Sequence, residues 1–337
     1  MTENKDITKA YSRIGVIGAG AWGTALAYAA AQAGRSVILW AREPDVIQQI
    51  QTSGENRVFL PGVPLPKSIT ATDDIAATSK SDALLVVVPA QHLRTGLKSI
   101  KPHAAAGTPL ALCAKGIERA SGKLLTEILR EEIPGCEPAI LSGPSFAKDV
   151  ARGLPTAVTI AARMEIALRL QAALGHATFR PYVSDDITGV ALGGAAKNVY
   201  AIACGIVDGM GLGESARAAL LARSFAELTR LGQALGAKPE TLMGLSGLGD
   251  LVLTATSVSS RNFSFGRALG QGSTLAELDR PGHALAEGVE TAPALVKRAK
   301  AEGIELPVAE AVAAVLDGSL PLGEAVLRLM SRPLKPE

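Results

Sequence analysis

Lys197 stands in the middle of the long apolar stretch Ile187 to Val207, with Asn198 beside it and Gly193, Gly194, Ala195 and Ala196 before it. An ammonium withdrawn from water is costly to keep charged. A desolvated lysine therefore exchanges its proton more readily near neutral pH and is a candidate acid or base. The competing reading is a lysine whose stem lies on apolar surface while its head reaches water; the flanking apolar turns and Asn198 favour the first. The small residues leave room for a backbone or a ligand to come close. Further along, Gly244-Leu245-Ser246-Gly247-Leu248-Gly249-Asp250 reads as a glycine-rich turn before Leu251-Val252-Leu253 and Thr254. Asp250 could orient a lysine and offset its charge, or it could cap a helix. Ser259-Ser260-Arg261-Asn262 gathers two hydroxyls, a guanidinium and an amide. That set suits phosphate recognition, and it also suits an ordinary helix start.

A second group of candidates lies in the first half. The run Ile14 to Ile17 meets Gly18-x-Gly20-x-x-Gly23, and a small-residue helical segment, Thr24 to Ala33, follows. Strand, glycine loop and helix in that order predict a dinucleotide site. Gly18 makes the tight turn, Gly20 lets backbone approach a pyrophosphate, and Gly23 lets helix and strand pack closely. The helix start offers free N–H groups to the phosphates. The second strand ends at Leu39-Trp40-Ala41-Arg42-Glu43. Arg42 could meet a 2′-phosphate and Glu43 could bond a ribose hydroxyl, or both could be solvated loop charges. Arg42 is nearer the expected strand end, so NADP is favoured over NAD. Cys113-Ala114-Lys115-Gly116 and Ser142-Gly143-Pro144-Ser145-Phe146-Ala147 each follow a strand. Unless they are plain loops, they put Lys115, Gly143 and Ser145 at the carboxyl edge of the sheet, where ligands bind.

The elements that must position these residues follow from periodicity. Strands are expected at Ser36 to Trp40, Ala83 to Val88, Thr108 to Cys113, Ala139 to Ser142, Thr156 to Ala161 and Thr178 to Val183. Helices alternate with them at Val46 to Gln51, Gln91 to Ile100, Gly122 to Glu131 and Met164 to Leu174, and Pro61, Pro64 and Pro66 mark a loop. Such alternation implies an α/β domain with a Rossmann-type, doubly wound, mostly parallel sheet. After Asp186 strand signals vanish. Ile187 to Val207, Glu214 to Leu235, Pro239 to Leu245, Ser264 to Leu269, Thr291 to Glu302, Val308 to Leu316 and Leu322 to Met330 all fit helices. The expected organisation is a dinucleotide-binding domain over residues 1–186 and an all-α substrate and catalytic domain over 187–337.

Composition narrows the partners. The 337 residues carry 34 basic and 32 acidic side chains, a net charge of +2, which gives no overall field for nucleic acid or an anionic membrane. Cys113, Cys136 and Cys204 show no metal-ligand or disulfide spacing and read as small buried residues of a reducing cytoplasm. Met1 to Tyr11 is polar and reads as a frayed tail rather than a signal peptide. A lysine at the centre of Ile187 to Val207 disfavours a membrane span, so that stretch is expected to be a helix buried inside a domain.

Eight motifs in order resemble the NAD(P)-dependent glycerol-3-phosphate dehydrogenases of the bacterial type. They are Gly18-Ala19-Gly20-Ala21-Trp22-Gly23-Thr24-Ala25-Leu26, Val86-Val87-Val88-Pro89, Ala114-Lys115-Gly116, Ser142 to Ala147, Gly193 to Asn198, Gly247 to Leu251, Ser260-Arg261-Asn262 and Ala286-Glu287-Gly288. The resemblance implies coenzyme contacts from Gly18, Gly20, Ala21, Trp22, Gly23, Arg42, Lys115, Ala147, Arg261, Leu285 and Glu287. It implies substrate contacts from Lys115, Gly143, Ser145, Lys197, Asp250, Ser260, Arg261 and Asn262. Lys197 would be the proton relay, with Asp250, Lys115 and Asn198 assisting. It further implies interconversion of dihydroxyacetone phosphate and sn-glycerol 3-phosphate, supply of the product to phospholipid synthesis, a homodimer and a cytoplasmic location. The competing readings are a β-hydroxyacid dehydrogenase of similar plan, and a dinucleotide sensor without catalysis, which would have no need of a buried proton donor.

Overall fold

The structure, a computed structural model, describes residues 9–278 and 286–331. Eight strands form one sheet: β1 Arg13–Ile17, β2 Ser36–Trp40, β3 Ile69–Thr72, β4 Ala83–Val86, β5 Pro109–Leu112, β6 Glu137–Ser142, β7 Thr156–Ala161 and β8 Phe179–Ser184. The helices of this half are α1 Ala21–Gln32, α2 Pro44–Ser53, α3 Ile75–Ser79, α4 Leu93–Ile100, α5 Leu125–Glu132, α6 Ala147–Ala151 and α7 Met164–Leu174. Those of the second half are α8 Ile187–Gly209, α9 Glu214–Ala234, α10 Pro239–Met243, α11 Asp250–Thr256, α12 Arg261–Gly270, α13 Leu275–Leu278, α14 Glu287–Ala301, α15 Pro307–Leu316 and α16 Leu322–Met330.

The strand order is β3-β2-β1-β4-β5-β6-β7-β8. All neighbours run parallel except β6 and β7, which are antiparallel, with Ile140 opposite Ala161. The connection between them, residues 143–155, carries only the short helix α6. β4 shows why the sheet is buried on both faces. Ala83 and Leu85 pack in one apolar cluster with Leu26 of α1 and Leu170 of α7. Leu84 and Val86 pack in another with Leu93, Leu97 and Ile100 of α4 and Ile128 and Leu129 of α5. Each fully buried leucine or isoleucine contributes roughly 1.5–3 kcal/mol.

Periodicity overlooked β3 and α3. The strand is short, alternates Ile and Ala with two threonines, and forms one edge of the sheet. The helix predicted from Gly122 begins at Leu125, because Ile117 and Leu124 form a β-bridge that closes the preceding segment into a small loop. Cys113 and Cys204 are buried, while Cys136 is only half-buried; all three are free thiols.

The chain folds as two compact units. The first takes the described residues up to Lys115 together with Leu125–Ala191, and the second takes Gly116–Leu124 with the described residues from Leu192 onward. In the second unit, Gly116–Leu124 is tied to α14 by the Arg119–Glu290 ion pair at 3.0 Å and by Lys297 Nζ donating to the Ala120 carbonyl at 3.0 Å. α8 is long and apolar enough to cross a membrane, but its whole apolar window is buried inside the protein.

Candidate active site

The glycine loop is built as its spacing implies. Gly18 adopts φ +113°, and a Cβ there would stand 2.8 Å from the Val87 carbonyl oxygen. Gly23 presses on the Gly18 carbonyl, leaving no room for a side chain. Gly20 is different: a Cβ there would meet no atom within 4 Å, so this flank of the loop is open. α1 then begins with no side-chain cap and no acidic residue in its first turn, which contains Ala21 and Trp22. Its first backbone N–H groups lack intrahelical acceptors, and the helix dipole adds positive charge there. β1 lies between β2 and β4, where the strand order reverses. An open glycine flank, an uncapped helix start and a switch point are the donor set and shape that a dinucleotide pyrophosphate requires, so the residues fit that coenzyme. At the end of β2, Arg42 is exposed and pairs with its neighbour Glu43, through Nη2 at 2.9 Å and Nε at 3.1 Å.

Three more candidates converge on one carbonyl. Lys115 Nζ and Ser145 Oγ each donate to the Gly143 oxygen at 3.1 Å. They meet because β5 and β6 are parallel neighbours and both residues follow carboxyl ends. Gly143 has φ +150°, and a Cβ would stand 2.8 Å from Val158 Cα of β7, so the close antiparallel strand demands glycine here. Ala147 opens α6.

In the second unit, Lys197 is 7% exposed, which removes the reading in which its head reaches water. Its Nζ donates to Asp250 Oδ1 at 2.6 Å and to Thr254 Oγ1 at 2.8 Å, and the Thr254 hydroxyl donates to the same carboxylate oxygen at 3.3 Å. Asp250 and Thr254 are buried as well. A buried ion pair is costly unless its members are hydrogen-bonded, and removing one partner typically costs about 3–5 kcal/mol. The predicted glycine-rich turn is instead a π-helical turn, Leu245–Gly249, running straight into α11. Of the two readings of Asp250, the carboxylate partner of Lys197 is the one found. Thr254 escaped the sequence reading. Its signal was the four-residue spacing from Asp250, which puts both on one helix face only once a helix is assumed.

Ser260 is the N-cap of α12 and accepts from the Phe263 N–H at 3.2 Å. Arg261 is exposed on the first turn. Asn262 is buried: its Nδ2 donates to Asn198 Oδ1 at 2.9 Å and its Oδ1 accepts from the Gly288 N–H at 2.9 Å. These two bonds fix the orientation of the Asn262 amide, and its Nδ2 group keeps a second N–H that neither bond uses. Glu287 is the first residue of α14. Leu285 lies outside the described residues.

Sequence reasoning also gave no signal for Glu227 of α9. It is buried, and its carboxylate accepts from the Val308 N–H at 2.7 Å and the Ala309 N–H at 3.3 Å, capping α15. Burial pushes its pKa up to about 7, against those two backbone hydrogen bonds. Burial likewise raises the Tyr200 hydroxyl well above its usual value, with Glu227 beside it.

Comparison with known proteins covers nearly the whole chain. The family model described as NAD-dependent glycerol-3-phosphate dehydrogenase N-terminus matches residues 13–167, and the C-terminus model of that family matches 186–327. The chain is 56% identical over 332 residues to glycerol-3-phosphate dehydrogenase [NAD(P)+] of Parvibaculum lavamentivorans, covering 98% of this chain and 100% of that protein. The crystal structure of glycerol-3-phosphate dehydrogenase from Coxiella burnetii is similar with a TM-score of 0.90 at 39% identity, over 96% of this chain and 99% of that one. A ketopantoate reductase from Ralstonia eutropha is similar with a TM-score of 0.61 at 18% identity, over 90% of this chain and 97% of that one, a likeness of fold alone.

Proposed function

The chain belongs to the NAD-dependent glycerol-3-phosphate dehydrogenase family, and on that premise we propose that it interconverts dihydroxyacetone phosphate and sn-glycerol 3-phosphate with NAD(P)H. The observation that carries the reading is the buried Lys197 ammonium held on Asp250 and Thr254. A sensor would need no such group, and a ketone reductase needs a proton donor.

Bound NAD(P)H supplies the hydride that the C2 carbonyl carbon accepts. Gly18, Gly20 and Gly23, with the first turn of α1 at Ala21 and Trp22, hold the coenzyme, and Ala147, Leu285, Glu287, Lys115 and Arg261 add contacts by the family resemblance. As negative charge develops on the C2 oxygen, Lys197 gives it a proton and becomes a neutral amine, which regains a proton from solvent; the product is a secondary alcohol. Asp250 keeps the ammonium in place before transfer, since a carboxylate 2.6 Å away fixes its direction. Lys115, Gly143 and Ser145 bind substrate. Arg261 and Asn262 meet the phosphate, aided by N–H groups of the first turn of α12 and by Ser260, whose cap fixes that turn. The glycine loop that holds the coenzyme lies in residues 1–186, and the proton donor and phosphate grip lie in 187–337. Arg42, at the end of β2, favours NADP over NAD; Glu43, already its ion-pair partner, holds the guanidinium there. By family membership the product feeds phospholipid synthesis, and the enzyme is a cytoplasmic homodimer.

Loss of reduced-nicotinamide absorbance on adding dihydroxyacetone phosphate tests the reading, run with NADPH and with NADH. Turnover with both and a higher kcat/KM for NADPH is expected. No turnover with dihydroxyacetone phosphate, but turnover of a 2-keto or 3-keto acid without phosphate, overturns it.

A further inference from the structure

Asn56, which none of the eight motifs contains, is bonded to the glycine loop. It is fully buried, as is Thr24 of α1. Its Nδ2 donates to the Ala19 carbonyl oxygen and to Thr24 Oγ1, both at 2.8 Å, and its Oδ1 accepts from the Phe59 N–H at 3.2 Å. Backbone groups force this orientation at both ends. A carbonyl only accepts and an N–H only donates, so the amide nitrogen must face Ala19 and the amide oxygen Phe59. Thr24 Oγ1 in turn donates to the same Ala19 oxygen at 3.2 Å.

The amide reaches the glycine loop on a support with bonds of its own. The Leu65 N–H donates to the Gly54 carbonyl at 2.7 Å and Glu55 bridges to Pro64, which closes residues 54–65 into a compact loop. Inside it the Leu60 N–H donates to the Asn56 carbonyl at 2.9 Å, and the Gly62 N–H to Glu55 Oε1 at 2.7 Å. Leu60 and Val63 are buried in the same apolar cluster as Ala19 and Leu26.

The consequence falls on the peptides that flank Gly20. In a trans peptide the C=O and the N–H point in opposite directions. With the Ala19 oxygen held toward Asn56 and Thr24, the Gly20 N–H points away from them, and no acceptor for it is found among the described residues. The Gly20 oxygen accepts from the Thr24 N–H at 2.9 Å, so the Ala21 N–H points out of the start of α1. Glycine by itself does not hold such an arrangement, because its flanking peptides rotate more freely than those of other residues. A flip of the Ala19–Gly20 peptide would aim a carbonyl oxygen where the N–H now points.

We propose that Asn56 is a positioning residue for coenzyme binding. Together with Thr24 it locks the Ala19–Gly20 peptide so that N–H groups, not a carbonyl oxygen, face the pyrophosphate of NAD(P)H. The proposal deepens the dinucleotide part of the functional reading above and rests on it. Asn56 acts through the loop, since its side chain is buried and its amide is bonded within the protein.

Asn56→Ala and Thr24→Val each remove a donor to the Ala19 oxygen without adding charge, and Thr24→Ser keeps the hydroxyl. The NADPH dissociation constant, read by coenzyme fluorescence, is expected to rise about tenfold in Asn56→Ala and about threefold in Thr24→Val, the scale of one lost hydrogen bond. Thr24→Ser should stay within about twofold of the parent, and in Asn56→Ala the kcat at saturating NADPH and the KM for dihydroxyacetone phosphate should also change less than about twofold. An Asn56→Ala protein that melts at a lower temperature but binds NADPH as the parent does makes Asn56 a residue of stability alone and overturns the proposal. So does a fall in kcat with NADPH binding unchanged. Where Asn56→Ala does not fold, Thr24→Val against Thr24→Ser decides, and equal NADPH affinity in those two overturns the proposal. Binding is measured without turnover, so a parent that binds NADPH but does not reduce dihydroxyacetone phosphate sinks the substrate reading and leaves these dissociation constants to decide the proposal.

Discussion

Gly20, at the start of α1, has no atom within 4 Å of where a Cβ would stand, whereas a Cβ on Gly266, in α12, would collide with the Ile202 carbonyl oxygen of α8. Both residues belong to glycine-rich segments, yet they do different work. At Gly20 the missing side chain leaves space for something outside the chain, and backbone N–H groups of one continuous segment line that space. At Gly266 the missing side chain lets backbone close the space. Gly205 of α8 presses on the Phe263 carbonyl as Gly266 presses on that of Ile202. Two helices then approach backbone to backbone, which brings side chains far apart in sequence, such as Asn198 and Asn262, within hydrogen-bond reach. The first arrangement exposes backbone donors, and the second places side chains through backbone contact.

The largest effect expected from this contrast is at Lys197. Lys197→Ala should lower kcat by at least about 10²-fold, the lower end of what a positioned general acid supplies, with coenzyme binding retained. Full turnover in a folded variant would remove the chemistry from the second unit. The same one-methyl change then tests the two glycines directly. Gly266→Ala should lose about 1–3 kcal/mol of stability in urea unfolding, from overpacking against a backbone that cannot yield. Gly20→Ala should leave stability unchanged, since its φ of −65° suits alanine, and should raise the KM for NADPH by roughly tenfold. If the two variants behaved alike, the distinction drawn between open and closed glycines would fail. Next, Arg261→Ala should raise the KM for dihydroxyacetone phosphate by about tenfold, the scale of one charge-assisted hydrogen bond, with less change in kcat. Unchanged saturation would place the phosphate elsewhere.

The smallest effect concerns Glu227, a side chain in the second unit that caps a helix without touching the chemistry. Its folded-state pKa is raised from 4.5 to about 7. Between those values the folded chain holds more protons than the unfolded one, so the contribution of this group to stability declines as pH rises through about 7. Glu227→Gln removes the titration. The stability of the parent relative to this variant should therefore fall between about pH 5 and pH 8. A difference that stays flat across that range would mean that Glu227 titrates as it does in water.

The same contrast explains what was legible. The glycine loop could be read because its three positions, its strand and its helix are contiguous, and each glycine answers a local steric demand. β4 could be read because four consecutive apolar residues leave no polar face. Lys197 stood out as a charge in the middle of an apolar helix. Thr254 did not, because its meaning depends on a helix that begins at Asp250 out of a π-helical turn, and the glycines there predicted a loop. The sequence offered the Asn262 amide as a phosphate donor, but not its orientation, which depends on Gly288, 26 residues away.

The sequence by itself determined the alternating first half, the helical second half, the dinucleotide loop and the presence of a lysine in the middle of an apolar helix. These are consequences of period, of local backbone sterics and of the cost of exposing apolar surface, all of which act over a few residues. Only the tertiary structure decided that β7 runs against β6, that Gly116–Leu124 folds with the second unit, and that Asp250 and Thr254 receive a lysine more than fifty residues away. It also decided that Asn262 is held between Asn198 and Gly288. Such pairings arise where helices pack backbone to backbone, and no spacing within a single element encodes which faces will meet.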